Sequence, residues 1–427
     1  MSDRPAARGL ARIGPALAER DFALLWFALI GMGFGEQMLE VAIGWQVYTN
    51  HRSALYLGLI GLAEFIPMFV LALPAGHLAD RFPRRLVLAL SLLLSAAVAI
   101  GLALVSAAGV TAVAPFLALA VGAGVAMAVG TPAARALGPT LVPLALVPSA
   151  MTLRSIATQA ALVGGPALGG LLYPLAPAVV YSVAAGICVL AALCSVAIRH
   201  RPDPSQAQDR TPGLAGVLAG IGFIARTQVL LGAISLDLFA VLLGGAVALL
   251  PLFARSILHV GPVGLGLLRS APALGALVAA VILTRRPLHR RTGRTLLVVV
   301  GAFGASMIVF GLSRSYPLSF AALAASGFVD MFSMNIRATI AALATPDALR
   351  GRVMAVEMVF VSASNQLGAF ESGLAAFLIG AVPAVVAGGA LTVVLALCWG
   401  RLFPALAAVD RMEELQPVPS PGAEQLA

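Results

Sequence analysis

A chain of 427 residues that is 60% hydrophobic and 11% charged, with mean hydropathy +0.99, is no ordinary soluble protein, since such proteins are about a quarter charged. Its net charge of +9 rests on arginine alone, lysine being absent, and the arginines gather at the ends of apolar runs, which argues against a nucleic-acid partner. Lipid is the expected solvent for most of the chain, and the bilayer its expected partner.

Residues 1–21 are polar and basic and lack the early apolar run of a cleaved signal peptide, so they read as a cytoplasmic tail with a short amphipathic piece around Leu10 to Leu17. A spanning helix needs about 20 apolar residues. Runs of that kind occur at 22–48, 54–76, 86–108, 113–134, 149–173, 177–198, 229–253, 263–284, 295–313, 316–336, 353–379 and 382–403, twelve in all. Connectors as short as 109–112 and 173–176 force antiparallel neighbours. The runs group as two six-helix bundles, 22–198 and 229–403, with a cytoplasmic linker at 199–228 and a polar, disordered tail at 404–427. Within the linker, Leu214 to Arg226 reads as an amphipathic helix lying at the inner membrane surface.

With the N-terminus inside, 22 arginines fall on the cytoplasmic side, Arg337 among them, and only Arg52, Arg255 and Arg314 outside; Arg154 and Arg269 lie within runs. The imbalance predicts an inner (plasma) membrane protein with both termini cytoplasmic. The bundles also repeat. Gly124 and Gly327 stand 203 residues apart, as do Pro143 and Pro346, the pattern of a duplicated unit that builds a site between two rocking halves.

Ionisable residues inside a membrane cost about 2.5–3.5 kcal/mol each to insert near a helix centre, and are default site candidates. Glu36 and Glu40 share one face of the first span, and because two negative charges one turn apart repel, one of them is expected to hold a proton. Glu64, Asp237, Arg269, Asp330 and Glu371 complete the set of substrate or proton residues, with Arg269 a counter-charge for one of the acids. Glu357 and Arg154 lie nearer the inner face and read as interfacial anchors. Cys188, Cys194 and Cys398 sit in apolar runs without metal-ligand spacing, and the five histidines are dispersed, so neither a metal nor a bound cofactor is expected. The chain has no HExxH motif, no Gly-rich phosphate loop and no nucleotide-binding domain, which argues against an enzyme and against direct use of ATP.

Three stretches carry a family resemblance. The first is the charged hinge Gly76-His77-Leu78-Ala79-Asp80-Arg81-Phe82-Pro83-Arg84-Arg85 between the second and third runs. It resembles the signature found there in the major facilitator superfamily, with Pro83 where many members carry glycine. The second, Gly164-Gly165-Pro166-Ala167-Leu168-Gly169-Gly170, resembles the Gly-Pro-x-x-Gly-Gly element of drug and proton antiporters, although small residues also serve simple close packing. The third is distributed: Arg20-Asp21-Phe22-Ala23-Leu24-Leu25-Trp26, Ser235-Leu236-Asp237-Leu238-Phe239 and Phe370-Glu371-Ser372-Gly373 resemble the enterobactin-exporter-like branch.

The resemblance implies an all-α integral membrane protein of twelve transmembrane helices in two pseudo-symmetric six-helix bundles. It implies a secondary transporter, antiporter-like and monomeric, that uses the proton gradient to export a small-molecule substrate, a siderophore or drug-like molecule, by alternating access. Gly76, Asp80, Arg81, Arg84 and Arg85 would form its cytoplasmic gate. Glu36, Glu40, Asp237 and Asp330 would line the cavity with Gln37, Met127 and Phe239, and Glu64 and Glu371 would act in gating. An importer or lysophospholipid flippase on the same scaffold is the alternative, and a polytopic membrane enzyme the rival of another class. The fourth run has no arginine before Arg135 and the loop 284–294 has no acid, so proton coupling must use other groups and only the first hinge can make the Asp80 contacts.

Overall fold

The computed structural model describes residues 14–199, 214–286 and 291–410, without the side chains of 72, 73, 75–80, 214, 215, 217 and 348. Most of the N-terminal tail with its start at Leu10, the linker 200–213, and the tail from 411 lie outside the described residues, as do the side chains of Gly76 and Asp80.

Among the described residues the secondary structure is helical throughout, and twelve helices are long and apolar enough to cross a bilayer. A span in hydrocarbon must satisfy every N–H and C=O internally, and uninterrupted apolar runs do so by forming helices. With one linker helix, α7, the long helices in chain order are α1 (Arg20–His51), α2 (Ala54–Arg81), α3 (Arg84–Ala107), α4 (Val113–Leu137), α5 (Val147–Leu172), α6 (Pro177–Val196), α7 (Leu214–Arg226), α8 (Gln228–Gly244, the first part of the seventh span), α9 (Pro262–Arg285), α10 (Thr292–Leu312), α11 (Tyr316–Ala344), α12 (Asp347–Ile379) and α13 (Ala381–Leu402). Proline opens α6 and α9, where its missing N–H has no partner to lose.

The helices sort into two compact units. Unit 1 comprises Met1–Arg52, Leu59–Thr211 and Val260–Ser270, so it includes the first nine residues of α9. Unit 2 comprises Ser53–Gly58, Pro212–His259 and Ala271–Ala427. Inside unit 1, α3 packs along α6 and α4, and α1 along α5 and α6; inside unit 2, α10 packs along α13 and α11, and α8 along α12 and α13. The internal pairing is the same in both. One contact repeats in detail: a β-carbon at Gly124 of α4 would overlap the Glu64 carbonyl oxygen of α2, and one at Gly327 of α11 would overlap the Pro272 carbonyl oxygen of α9. The glycines spaced 203 apart are therefore equivalent crossing points.

The core of unit 1 is built from Phe22, Leu25, Leu88, Leu92, Leu137 and Leu153, that of unit 2 from Leu230, Leu236, Leu296, Ile336, Ile340 and Trp399. Large apolar side chains such as Leu90, Leu190, Val298 and Leu397 are exposed on helix faces turned away from those cores, the surface a lipid solvent calls for. Large buried or half-buried polar side chains find partners, Tyr181 donating to Gln46 at 2.8 Å, Trp26 to the Leu153 carbonyl at 2.8 Å and Trp399 to the Gly232 carbonyl at 2.9 Å, while the Thr345 hydroxyl is buried without one.

The structure departs from the sequence expectation at four places. The tenth run was expected to end at 336 with Arg337 at the membrane boundary, but α11 continues to Ala344 and Arg337 is 6% exposed, because Asp237 neutralises it inside the bundle. The seventh span is broken: α8 ends at Gly244, Gly245 is extended, and the segment resumes as a 3-10 turn at Val247–Leu249, a short helix at Leu250–Leu252 and a π-helical turn at Phe253–Ile257. The helix α7 does not lie free, since Phe223 and Ile224 are buried in the core of unit 2. The tail read as disordered is folded over residues 404–410: Pro404–Ala407 is a helical turn with Leu406 fully buried, and Asp410 returns to the start of α10. There the Asp410 carboxylate accepts from Arg291 N–H at 2.9 Å and its carbonyl from Thr292 N–H at 3.2 Å, filling the role of an N-cap that the local sequence lacks.

Candidate functional site

In unit 1, α1 presents Glu36 and Glu40 one turn apart, and both line a cavity of about 40 Å3 together with Glu64 of α2, Ser91 of α3 and Met127 of α4. Gly124 lets α4 approach α2 closely enough to bring Met127 and Glu64 to the same space. Arg269 of α9 donates from Nη2 to Glu40 Oε2, a pair whose side chains are only 15% and 24% exposed. Three carboxyl groups and one guanidinium thus converge. The volume admits a few water molecules, each needing about 10–15 Å3, whereas a drug-sized ligand needs about 300 Å3 or more.

Unit 2 holds a second charged centre. Asp237 of α8 meets Arg337 of α11 at 2.8 Å, each side chain 6% exposed, and Arg337 Nε donates to Ser333 Oγ at 3.3 Å. Asp330, two turns before Arg337 on the same helix, and Glu357 of α12 are both close enough to feel the guanidinium charge. Phe239, expected in the cavity wall, packs edge-on against Trp399. Glu371 stands apart from this group, beside the break in the seventh span, where Ser372 Oγ donates to the Gly245 carbonyl at 2.6 Å.

The remaining expected residues serve helix ends and helix crossings. Arg84 donates to the Ala136 carbonyl at 3.2 Å at the end of α4, and Arg85 donates to the Ile198 carbonyl just past α6, so both satisfy carbonyls that a helix terminus leaves open. Arg81 is exposed at the end of α2. In α5, β-carbons at Gly165 and Gly169 would lie 2.6 Å from Gln37 Cβ and 3.1 Å from Met38 Cα of α1. On the other side of the helix, a β-carbon at Gly170 would lie 2.5 Å from the Pro262 carbonyl oxygen, and Gly266 packs against the Pro166 carbonyl. The Gly-Pro-x-x-Gly-Gly stretch is where α5 is clasped between α1 and the start of α9.

Sequence reasoning found the acids and Arg269 as a counter-charge, but not that Glu40 is the acid it serves, and it missed Arg337 as the partner of Asp237. Arg337 reads in the sequence as a residue of the cytoplasmic side, and Ser372, quoted beside Glu371 in the family stretch, carries no role of its own there. The paired Gly244-Gly245 inside an apolar run was the available signal for a break.

Arrangements of this kind define a class. A bacterial homologue of the human lysosomal transporter Spinster, in an inward-facing and occupied conformation, superposes with a TM-score of 0.71 over 94% of this chain and 99% of its own, at 14% identity. A D-xylose–proton symporter does so with a TM-score of 0.68 over 93% and 99%, at 12% identity. At such identities the likeness defines the fold, which is that of the major facilitator transporters. The model of the transmembrane secretion effector family matches residues 13–426, and the chain belongs to that family of the superfamily. It is 30% identical over 370 residues to the multidrug efflux pump Tap of Mycolicibacterium fortuitum, covering 82% of this chain and 88% of Tap. It is 27% identical over 403 residues to the enterobactin exporter EntS of Citrobacter koseri, covering 93% and 94%. The protein is a multi-pass membrane transporter with twelve spans, not an enzyme.

Proposed function

We propose that the protein is a proton-coupled exporter of a small amphipathic molecule, siderophore-like or drug-like, working by alternating access in the plasma membrane with both termini cytoplasmic. The observation that carries this reading is the cavity of unit 1, where Glu36, Glu40 and Glu64 gather around water-sized space and Arg269 supplies one counter-charge to Glu40. Glu36 and Glu40 stand one turn apart with one guanidinium on Glu40, and in a low-dielectric setting such a pair of carboxyl groups needs a proton or a cationic ligand to balance it. The volume suits protons and water. A proton arriving at Glu40 removes the charge that holds Arg269, and Glu36 one turn away is placed to receive and pass that proton. Asp237 and Asp330 in unit 2 are the second pair of lining acids, with Glu64 and Glu371 acting in gating. Export follows the named activities of the two relatives, an efflux pump and an exporter.

The test uses purified protein in proteoliposomes with an imposed pH gradient and a fluorescent amphipathic substrate. Wild-type flux is expected to rise with the gradient, and Glu36→Gln to transport at a rate that no longer responds to it while still binding the dye. A Glu36→Gln variant with the wild-type gradient response would remove Glu36 from the coupling route.

A further inference from the structure

We propose that unit 2 carries a binding site for one monovalent cation of sodium's size, built from the Glu371 carboxylate, the Ser372 hydroxyl oxygen and the carbonyl end of α8 at the break in the seventh span. The site goes beyond the proton route of unit 1 and does not depend on it.

The break supplies backbone oxygen. Gly245 N–H still donates to the Val241 carbonyl at 3.1 Å, but the turn that follows is extended at Gly245 and resumes as a 3-10 turn. The last carbonyls of α8 are thereby released from the helical ladder at the negative end of its dipole. Unwound backbone at membrane depth is tolerated where it lines a polar space. Such a space is present: a cavity of about 10 Å3, lined by Gly244, Gly245, Ala246, Glu371 and Ser372. It has room for a single water-sized occupant.

The hydrogen bonding selects the occupant. Ser372 has one hydroxyl proton, and its 2.6 Å contact places that proton on the Gly245 carbonyl. Its oxygen then faces Glu371 Oε2 at 3.5 Å, far longer than the 2.5–2.7 Å of a hydroxyl donating to a carboxylate. With that proton committed to Gly245, an ionised Glu371 meets a lone pair of Ser372 rather than a donor, and a cation is what brings the two oxygens together. No ion pair to Glu371 forms among the described residues, so the carboxylate has no guanidinium to lean on. A hard cation binds oxygen at about 2.4 Å, and two ligands at right angles around it stand about 3.4 Å apart, close to the observed separation. One carboxylate balances one positive charge. A divalent ion would keep an uncompensated charge inside the membrane, and a larger cation such as potassium, with longer bonds to oxygen, would set the same two ligands farther apart than they stand.

The experiment takes the full-length protein in lipid nanodiscs at fixed pH and fixed ionic strength, with choline exchanged for sodium, lithium or potassium, and reads the melting temperature and equilibrium binding of radioactive sodium. Sodium and lithium are expected to raise the melting temperature saturably and potassium not to, with one sodium bound per chain. Glu371→Gln is expected to abolish both signals, and Ser372→Ala to weaken sodium binding about tenfold, the loss of one ligand contact. Ser306→Ala, which removes a hydroxyl bonded only to its own helix, is expected to keep the wild-type sodium response. A wild-type protein indifferent to sodium, or one stabilised equally by sodium and potassium, would overturn the proposal. So would a Glu371→Gln variant that binds sodium normally. If Glu371→Gln fails to fold, the comparison of sodium with potassium on the wild type decides alone. Transport is not measured, so failure here and failure of the proton route at Glu36 remain separate outcomes.

Discussion

Arg337 lies nearly two turns inside the end of α11, with its guanidinium shared between Asp237 and Ser333. Removing one member of such a pair strands the other, at a cost of about 3–5 kcal/mol, whereas replacing both is far less damaging. Asp237→Asn is therefore expected to lower the melting temperature sharply, and Asp237→Asn with Arg337→Gln to recover most of it, as read by thermal unfolding in detergent. Equal destabilisation of the single and double variants would show that the residues do not act as a pair. The charges themselves were legible in the sequence, because an acid in an apolar run announces itself. Arg269 was legible as a counter-charge, but which acid it serves was not, nor that Arg337 serves Asp237. Asp237 and Arg337 are 100 positions apart and Glu40 and Arg269 are 229 apart, and nothing local to either residue encodes which opposite charge the fold delivers.

At the level of the helix, α5 shows what its small residues are for. A β-carbon at Gly170 would press on the carbonyl oxygen of Pro262, a backbone atom that cannot rotate aside, while one at Gly186 of α6 would meet nothing within 4 Å. Gly170→Ala is expected to destabilise by about 1–3 kcal/mol through overpacking. Gly186→Ala is expected to be neutral or to stabilise by up to about 1 kcal/mol, because alanine is the better helix former. The same unfolding measurement checks both, and the ordering of the two variants is the discriminating result. Helix positions followed from the apolar runs to within a few residues in most cases. The exceptions are instructive: α11 ran past its expected end because a neutralised arginine does not stop a helix, and the seventh span broke where Gly244, Gly245 and Ala246 looked as apolar as their neighbours. The paired glycines were the one local signal, and the hydroxyl from α12 that donates to the Gly245 carbonyl is brought there only by the folded chain.

For the whole molecule, the count of twelve and the superfamily were readable from run lengths and the hinge at 76–85, and the recurrence of one pairing order in both units gives the 203-residue spacing its physical meaning. The side of the membrane rests on arginine distribution. In a cysteine-free background, Ser205→Cys in the linker is expected to be shielded from an impermeant maleimide in intact cells and Ser315→Cys between α10 and α11 to react. The reverse pattern would invert the topology. The hinge acid makes a related prediction: Asp80→Asn is expected to slow transport while leaving substrate binding intact, measured as flux against dye affinity, and unchanged flux would remove Asp80 from the gate.

The return of residues 404–410 onto α10 bears on how the protein can be handled. Any truncation or fused reporter that replaces the chain after Phe403 strips the donors at Arg291 and Thr292 of their acceptors and empties the place of Leu406. Affinity tags and fluorescent partners belong beyond Asp410. A fusion joined at 404 would report low yield for a reason unrelated to membrane insertion, and a screen that ignored this would discard a sound transporter.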